Sequence, residues 1–328
     1  MTNTTPETDS QRRAAVVYNP IKVDLDAIRA AVATQEQAAG WGETMWFETS
    51  KEDPGQGATR DALEAGAAMV IAAGGDGTVR AVAEALNGPD VPLALLPSGT
   101  GNLLARNLHL TLDDMDHSLK SAFSGKDRAI DLARIRIRHE DDTVSEHVYV
   151  VMAGLGIDAK MLAATDEDLK KKVGWLAYVG AIITALRDKN QLRLRYQLDD
   201  SRPKSIRAHT IIAGNCGALT GNVLLLPDAA VDDGVLDIVL MRPEGFIGWT
   251  QIIVKVIWEN GVLRRTKLGQ KFVTKEVDAL NYVRGQTLKV RLSRAEKIEL
   301  DGDEFGEAIA LKTWIQEGGL TIRVPADS

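Results

Sequence analysis

Two short stretches put glycines, hydroxyls and a carboxylate where they could handle a charged ligand. Gly74-Gly75-Asp76-Gly77-Thr78 follows the apolar run Ala67–Ala72, and Pro97-Ser98-Gly99-Thr100-Gly101-Asn102 follows Val91–Leu96. Each opens onto an apolar-periodic segment, so each is read as the junction of a buried strand and a helix. Helix N-termini direct free N–H groups outward, and glycines let a ligand approach the backbone. A single loop of this kind is more often a tight turn than a site. Two on neighbouring strands, each with a threonine near a helix start, point to one polyphosphate shared between them. Neither has Rossmann spacing, and neither carries the Gly-Lys-Ser/Thr of a Walker A loop.

Chemistry on a phosphate ester needs more than a cradle. Phosphoryl transfer to an alcohol requires a base for the hydroxyl proton, a divalent cation on the phosphates and donors for the developing charge. Asp301 is the candidate base: it follows the alternating segment Lys297-Ile298-Glu299-Leu300, and Gly302 leaves room beside it. Asp-Gly is also a strong hairpin signal, and from the dipeptide alone an acidic turn is the better reading. The histidines, His109, His117, His139, His147 and His209, are scattered and match no zinc spacing.

These groups must be held by two kinds of sheet. Up to about residue 125, apolar runs (Ala14–Tyr18, Thr44–Glu48, Ala68–Ala73, Val91–Leu96) alternate with helical periodicities at Leu25–Ala39, Ala58–Gly66 and Thr78–Leu86, with another helix starting near Asn102. Strands apolar on both faces, separated by amphipathic helices, predict an α/β domain with a mostly parallel sheet. From Ile130 the period becomes two, as in Ile130–Arg138, Leu192–Tyr196 and Leu288–Leu292. One wet face predicts an all-β antiparallel sandwich or barrel. The boundary falls between Gly125 and Arg134, giving an α/β domain over 12–130 and a β domain over 131–311.

The chain has 328 residues, 45% of them hydrophobic, and a net charge of −7. That is a globular composition, and the acidic balance excludes a protein whose main task is coating nucleic acid. A single cysteine, Cys216, excludes an intrachain disulfide and fits a reducing compartment. The opening MTNTTPETDSQRR is polar, lacks an apolar signal core and is expected to be a disordered lead-in, so a cytoplasmic location is expected.

The ordered set of motifs resembles the diacylglycerol kinase catalytic domain, which bacterial lipid kinases and eukaryotic sphingosine kinases share. GGDGT at Gly74–Thr78 is followed by LPSGTGN at Leu96–Asn102, while Asn19-Pro20 resembles the family's opening Asn-Pro. Gly214-Asn215 and Pro227–Asp237 look like its central signature, and Leu300-Asp301-Gly302-Asp303 like its late Asp-Gly-Glu. GGDGT alone is not specific, since NAD kinases carry it too.

The resemblance implies a phosphofructokinase-like nucleotide domain and a β-sandwich, with ATP in the cleft between them. It also implies that the last strand, about Leu320–Val324 within 312–328, returns to the first domain. It places Asn19, Thr49, Gly74, Gly75, Asp76, Gly77, Thr78, Gly99, Thr100 and Asn102 around the nucleotide and makes Asp301 the catalytic base. Asp76 and Asp303 become candidate ligands of Mg²⁺, and Asp233, with the carbonyls of Ala230 and Val235, of a second, structural Mg²⁺. Four positions depart from the pattern: Leu103 stands where many members are acidic, and Asp303 where a glutamate is usual. Asn19-Pro20-Ile21 lacks the expected glycine, and Thr220-Gly221-Asn222 replaces a glycine cluster.

A kinase of this kind meets its lipid substrate at a membrane surface as a peripheral protein. Val173–Leu186, after Lys170-Lys171-Lys172, and Phe246–Leu263, before Arg264-Arg265, combine apolar, aromatic and basic residues suited to an interfacial helix, although apolar helices are more often core. The sequence is compatible with a homodimer and does not set the oligomeric state. The rival readings are a NAD kinase, whose second Thr/Pro/Gly/Ser-rich motif is not found, and a kinase that has lost turnover but still binds nucleotide or lipid.

Overall fold

The computed structural model describes residues 12–86, 88, 90–99, 101–156, 191–219, 223–243, 248, 252 and 280–327. The polar lead-in up to residue 11, Thr100, the segment 173–186, nearly all of 246–263 and Thr220–Asn222 lie outside the described residues.

The first part alternates strand and helix: β1 (Arg13–Tyr18), α1 (Leu25–Ala38), β2 (Gly42–Glu48), α2 (Gln56–Glu64), β3 (Met69–Gly74), α3 (Asp76–Leu86), β4 (Leu93–Pro97), α4 (Leu103–Asn107) and α5 (Met115–Ser124). The strands lie parallel in the order β4-β3-β1-β2. Every residue of β3 is buried, as expected of a strand covered on both faces. The start of α1 is set by Asp24, whose carboxylate accepts from Ala27 N–H at 3.1 Å. Its Ile28 and Val32 turn inward with Met69, Ile71 and Phe123.

The second part is antiparallel: β5 (Lys126–His139), β6 (Val144–Tyr149), β7 (Met152–Leu155), β8 (Leu192–Leu198), β9 (Lys204–Ala208), β10 (Thr210–Gly214), β11 (Ala218–Leu219), β12 (Val223–Leu224), β13 (Leu236–Met241), β14 (Leu280–Gly285), β15 (Thr287–Leu300) and β16 (Asp303–Val324). On β5 and β15 alternate residues enter a second core that includes Ile135, Ile137, Leu288 and Val290. The fold is thus a parallel α/β part joined to an antiparallel β part, as the two sequence periods predict.

The two parts share one sheet. The order runs β14-β13-β10-β7-β15-β16-β4-β3-β1-β2. Strand β16 pairs with β15 near its start and ends beside β4, with Ile322 opposite Leu93. Strand β5 accompanies it for most of its length and runs unbroken through residues 130 and 131. The pair changes register between Gln316 and Leu320, where Gly318 has a φ of +57°. A bulge of this type bends a strand and raises its twist, as a strand leaving one packing environment for another requires.

Asp131 pins that bend. It is buried, and its carboxylate accepts from Gly318 N–H at 2.8 Å and from Gly234 N–H at 2.7 Å. Its own N–H donates to Val231 O at 2.7 Å, and its carbonyl accepts from Asn215 Nδ2 at 2.9 Å. Asp131→Ala strands one buried N–H group, on Gly234, and one half-buried, on Gly318, and should cost about 2–5 kcal/mol. Urea unfolding checks this, and a loss below about 1 kcal/mol would show that the bend holds without the clamp.

Candidate active site

Four neighbouring parallel strands end on the same side, and the candidate ligand-binding residues follow their carboxyl ends. Asn19 follows β1, Thr49 follows β2, Gly75–Thr78 follow β3, and Ser98 to Asn102 follow β4. In open parallel sheets this edge is where ligands bind. Asn19 N–H donates to Ala73 O at 3.0 Å and Thr49 N–H to Tyr18 O at 2.9 Å, which locks both residues to the strand ends.

The two glycine loops touch backbone to backbone. A Cβ on Gly99 would stand 2.8 Å from Gly75 Cα, and one on Gly74 would stand 2.6 Å from Thr78 Oγ1. Asp76 ties the loops together, its Oδ1 accepting from Leu103 N–H at 2.6 Å. Burial, with the neighbouring charge of Asp303, pushes its carboxyl above the usual aspartate range, against the pull of N–H groups from Leu103 and Asn102. Asn102 takes a left-handed conformation, φ 48°, and its side chain brackets Gly99: Nδ2 donates to Gly99 O at 2.7 Å and Oδ1 accepts from Gly99 N–H at 3.2 Å.

The antiparallel part reaches the site through the tip of the β15–β16 hairpin. Leu300 and Asp303 pair across a two-residue turn, Asp301-Gly302, in which φ is +50° and +91°. Positive φ at both positions is the hairpin geometry that Asp-Gly favours. The turn reading and the functional reading therefore fall on the same residue. The Asp301 carboxylate, 5% exposed, accepts from Val150 N–H at 2.8 Å on one oxygen. Its other oxygen accepts from Val151 and Met152 N–H, both at 2.9 Å. Burial pushes its pKa up to about 6, while those three donors and the charge of Arg80 pull it down.

Asp303 lies on the near side of the same turn with its side chain 52% exposed. A Cβ on Gly77 would sit 2.8 Å from its Oδ2, so α3 and the hairpin meet at a glycine. Asp76 and Asp303 are close enough for each charge to act on the other. Their oxygens suit Mg²⁺, which takes one or two carboxylates and fills its other positions with phosphate and water. Among the described residues no three His, Cys, Asp or Glu side chains form a metal cage.

Farther along, Asp233 and Asp237 both pair with Arg284, the second through Nε at 3.0 Å. Asp237 Oδ2 is buried without a hydrogen-bond partner. Two carboxylates and an unpaired buried oxygen have the chemistry of a cation site, and here a guanidinium supplies the positive charge. Burial pushes the Asp237 carboxyl up, partly offset by Arg284.

Residues 13–135 match the family described as the diacylglycerol kinase catalytic domain, and residues 150–316 that described as the YegS C-terminal NAD kinase beta sandwich-like domain. A protein of Pseudomonas fluorescens Pf-5, named "Probable lipid kinase YegS-like", is 30% identical over 97% of each chain. One of the same name from Pseudomonas aeruginosa PAO1 is 30% identical, covering 92% of this chain and 91% of its own. The chain belongs to the YegS-like lipid kinase family. The crystal structure of a diacylglycerol kinase from Bacillus anthracis Sterne has the same fold, with a TM-score of 0.69 at 18% identity, covering 98% of this chain and 99% of that one.

Set against that family's pattern, Leu103 has a structural account. Its N–H caps Asp76, and its side chain is buried in a core shared by the parallel and antiparallel parts. An acid there would be placed in an apolar interior.

Arg80 escaped the motif reading. It stands four residues beyond Asp76 on α3, 5% exposed, with Nη2 3.1 Å from Asp303 Oδ2 and Nη1 3.8 Å from Glu84. Its guanidinium lies 4.5 Å over the Phe305 ring, and Nε and Nη1 have no hydrogen-bond partner among the described residues. Glu84 is held by Gln56 at 2.8 Å and His147 at 3.3 Å, and the His147 ring packs at a tilt of 60° against Phe305, centroids 4.6 Å apart. A lone arginine one turn into a helix, five residues after a glycine pair, was the signal. Removing its charge should raise the Asp301 pKa above about 6. Carbon-13 NMR titration of the aspartate carboxyls in Arg80→Met, with Asp301→Asn to assign the resonance, checks this; an unmoved titration would make Arg80 a packing residue only.

Proposed function

We propose that this protein is an ATP-dependent lipid kinase that phosphorylates the hydroxyl of a membrane lipid, such as diacylglycerol or a long-chain base, from the membrane surface. The observation that carries the reading is the meeting of the two glycine loops with the Asp301–Asp303 turn across Gly77. Membership of the lipid kinase family supports the same chemistry. No helix among the described residues is long and apolar enough to cross a membrane.

In this reading the strand-end residues Asn19, Thr49, Gly74–Thr78, Gly99 and Asn102, together with Thr100, bind the nucleotide. Bound ATP with Mg²⁺ supplies the phosphoryl group. Asp76 and Asp303 hold the catalytic Mg²⁺, while Asp233, Ala230 and Val235 hold the structural one. Asp301 takes the hydroxyl proton on the oxygen that accepts a single N–H. With a pKa of about 6 it is ionised at neutral pH yet basic enough to accept a proton. A second assignment has one observation in its favour: Asp303 is far more exposed than Asp301, so the proton could pass to it while Asp301 only braces the turn.

Purified protein with labelled ATP, Mg²⁺ and separate lipid alcohols should yield a phospholipid. Phosphorylation of NAD alone would transfer the chain to the NAD kinase reading, and no transfer to any acceptor would leave a kinase without turnover. The Asp301 carboxyl is raised from its ordinary 3.8, so its base form grows as pH rises through about 6. Turnover should climb through that pH and then level. Asp301→Asn should lose about 10²–10⁴-fold in turnover and lose that limb. If instead Asp303→Asn abolishes the limb while Asp301→Asn keeps it, Asp303 is the base.

A further inference from the structure

The outer face of the antiparallel sheet carries a cationic row that the cleft does not use. Arg195 on β8 pairs directly with Arg291 on β15, which leads through Ala310 on β16 to Arg138 on β5 and Val144 on β6. On the next rung Lys289 pairs with Lys312, and Lys312 with Arg136. All six cations are exposed and line one groove of about 450 Å³.

Like charges directly opposite on a sheet are destabilising, and here three such pairs share one face. Among the described residues only two of the cations have acidic partners: Arg136 pairs with Glu146, and Arg138 with Asp142 at 2.8 Å. Arg195, Lys289 and Arg291 have none among the described residues. On a chain of net charge −7 this concentration is a local excess rather than a general basicity. It opposes itself until an extended anion covers it.

Two apolar groups edge the row. Val144, at its β6 end, is 57% exposed, and Trp314 lies one rung from Lys312, whose Nζ is 5.0 Å from the ring centroid. A free phosphate needs neither group. A bilayer surface takes both, with basic side chains at anionic headgroups and tryptophan and aliphatic groups at the interface. We propose that this face docks the protein on an anionic membrane, an inference that rests on the lipid kinase reading. Arg291 is ten residues before Asp301 on the same strand, roughly 30 Å of extended chain, so the docking face is separate from the cleft.

The test is sedimentation of the whole protein with vesicles of phosphatidylcholine alone or mixed with phosphatidylglycerol. Wild type should bind only the mixed vesicles and be released by salt. Arg195→Glu with Arg291→Glu should weaken that binding about tenfold or more. Both side chains are exposed, and Arg195→Gln with Arg291→Gln gives a milder version should the reversal not fold. Activity on lipid in neutral detergent micelles should be unchanged in either variant. Equal vesicle binding by wild type and variant overturns the docking face and leaves the kinase reading intact. Charge-dependent binding with no micellar turnover supports the face but removes its kinase role. If inositol hexakisphosphate binds the row while mixed vesicles do not, the row is a site for soluble phosphate, and the membrane assignment fails.

Discussion

The site depends on how closely two backbone segments approach at the edge of the parallel sheet. Gly99 packs so closely on Gly75 that the second loop has no room for a side chain at the contact, its Cβ falling 2.8 Å from Gly75 Cα. That approach lets the Asp76 carboxylate, starting on the first helix, reach the N–H of Leu103 at the start of the next. The strands beneath are neighbours in register, with Gly74 opposite Pro97, so both loops leave the sheet at one level. At Gly99 glycine is required by contact rather than by conformation. Neither Gly75 nor Gly99 has a positive φ, whereas the tip of the opposing hairpin does need left-handed backbone.

The other half of the site arrives by way of a single long strand. Because β16 is shared by the sandwich and the parallel sheet, the hairpin that precedes it cannot be placed independently of β4. The angle between the two ends of β16 is absorbed at Gly318 and Gly319, and Asp131 fastens that bend to the loop around Gly234. A buried carboxylate satisfied by backbone donors costs little once its partners are in place and a great deal if one is lost. Asp301 follows the same rule at the hairpin tip, anchored on three consecutive N–H groups at the β6–β7 junction. The geometry of the cleft is therefore held by two acids whose oxygens face backbone.

Much of this was legible from residue order. Period-two and period-3.6 stretches mark the two sheet types, and the apolar runs before each glycine loop mark β3 and β4 to within a residue or two. Helix α5 was less visible: only Leu119, Ala122 and Phe123 are buried in its ten residues, although Asp114 caps it by accepting from His117 N–H. The sharing of β16 could not be read from periodicity, since both of its environments produce apolar alternation. Nor could the burial of Asp301 be read, because Asp-Gly specifies the turn but not what the carboxylate meets on its far side. Arg80 was hidden for a related reason. Its partners Asp303 and Phe305 are more than two hundred positions away, and only the folded hairpin brings them to α3.

Arginine plays an opposite part at the two acidic clusters, and the difference bears on how cations are used. Arg284, pairing Asp233 with Asp237, has a side chain 45% exposed and lies at the surface. Arg80 does not: it is enclosed, stacked on Phe305 and short of hydrogen-bond partners. Burying such a guanidinium carries a desolvation cost that its contact with Asp303 only partly offsets. The charge of Asp303 is thus partly answered by Arg80, and burial raises the Asp76 carboxyl above the usual aspartate range. On the kinase reading, two carboxylates in that state would attract a divalent ion weakly by themselves. The phosphates of a nucleotide in the glycine loops would add the missing negative charge, so on the kinase reading metal and nucleotide enter the cleft together, each raising the affinity for the other.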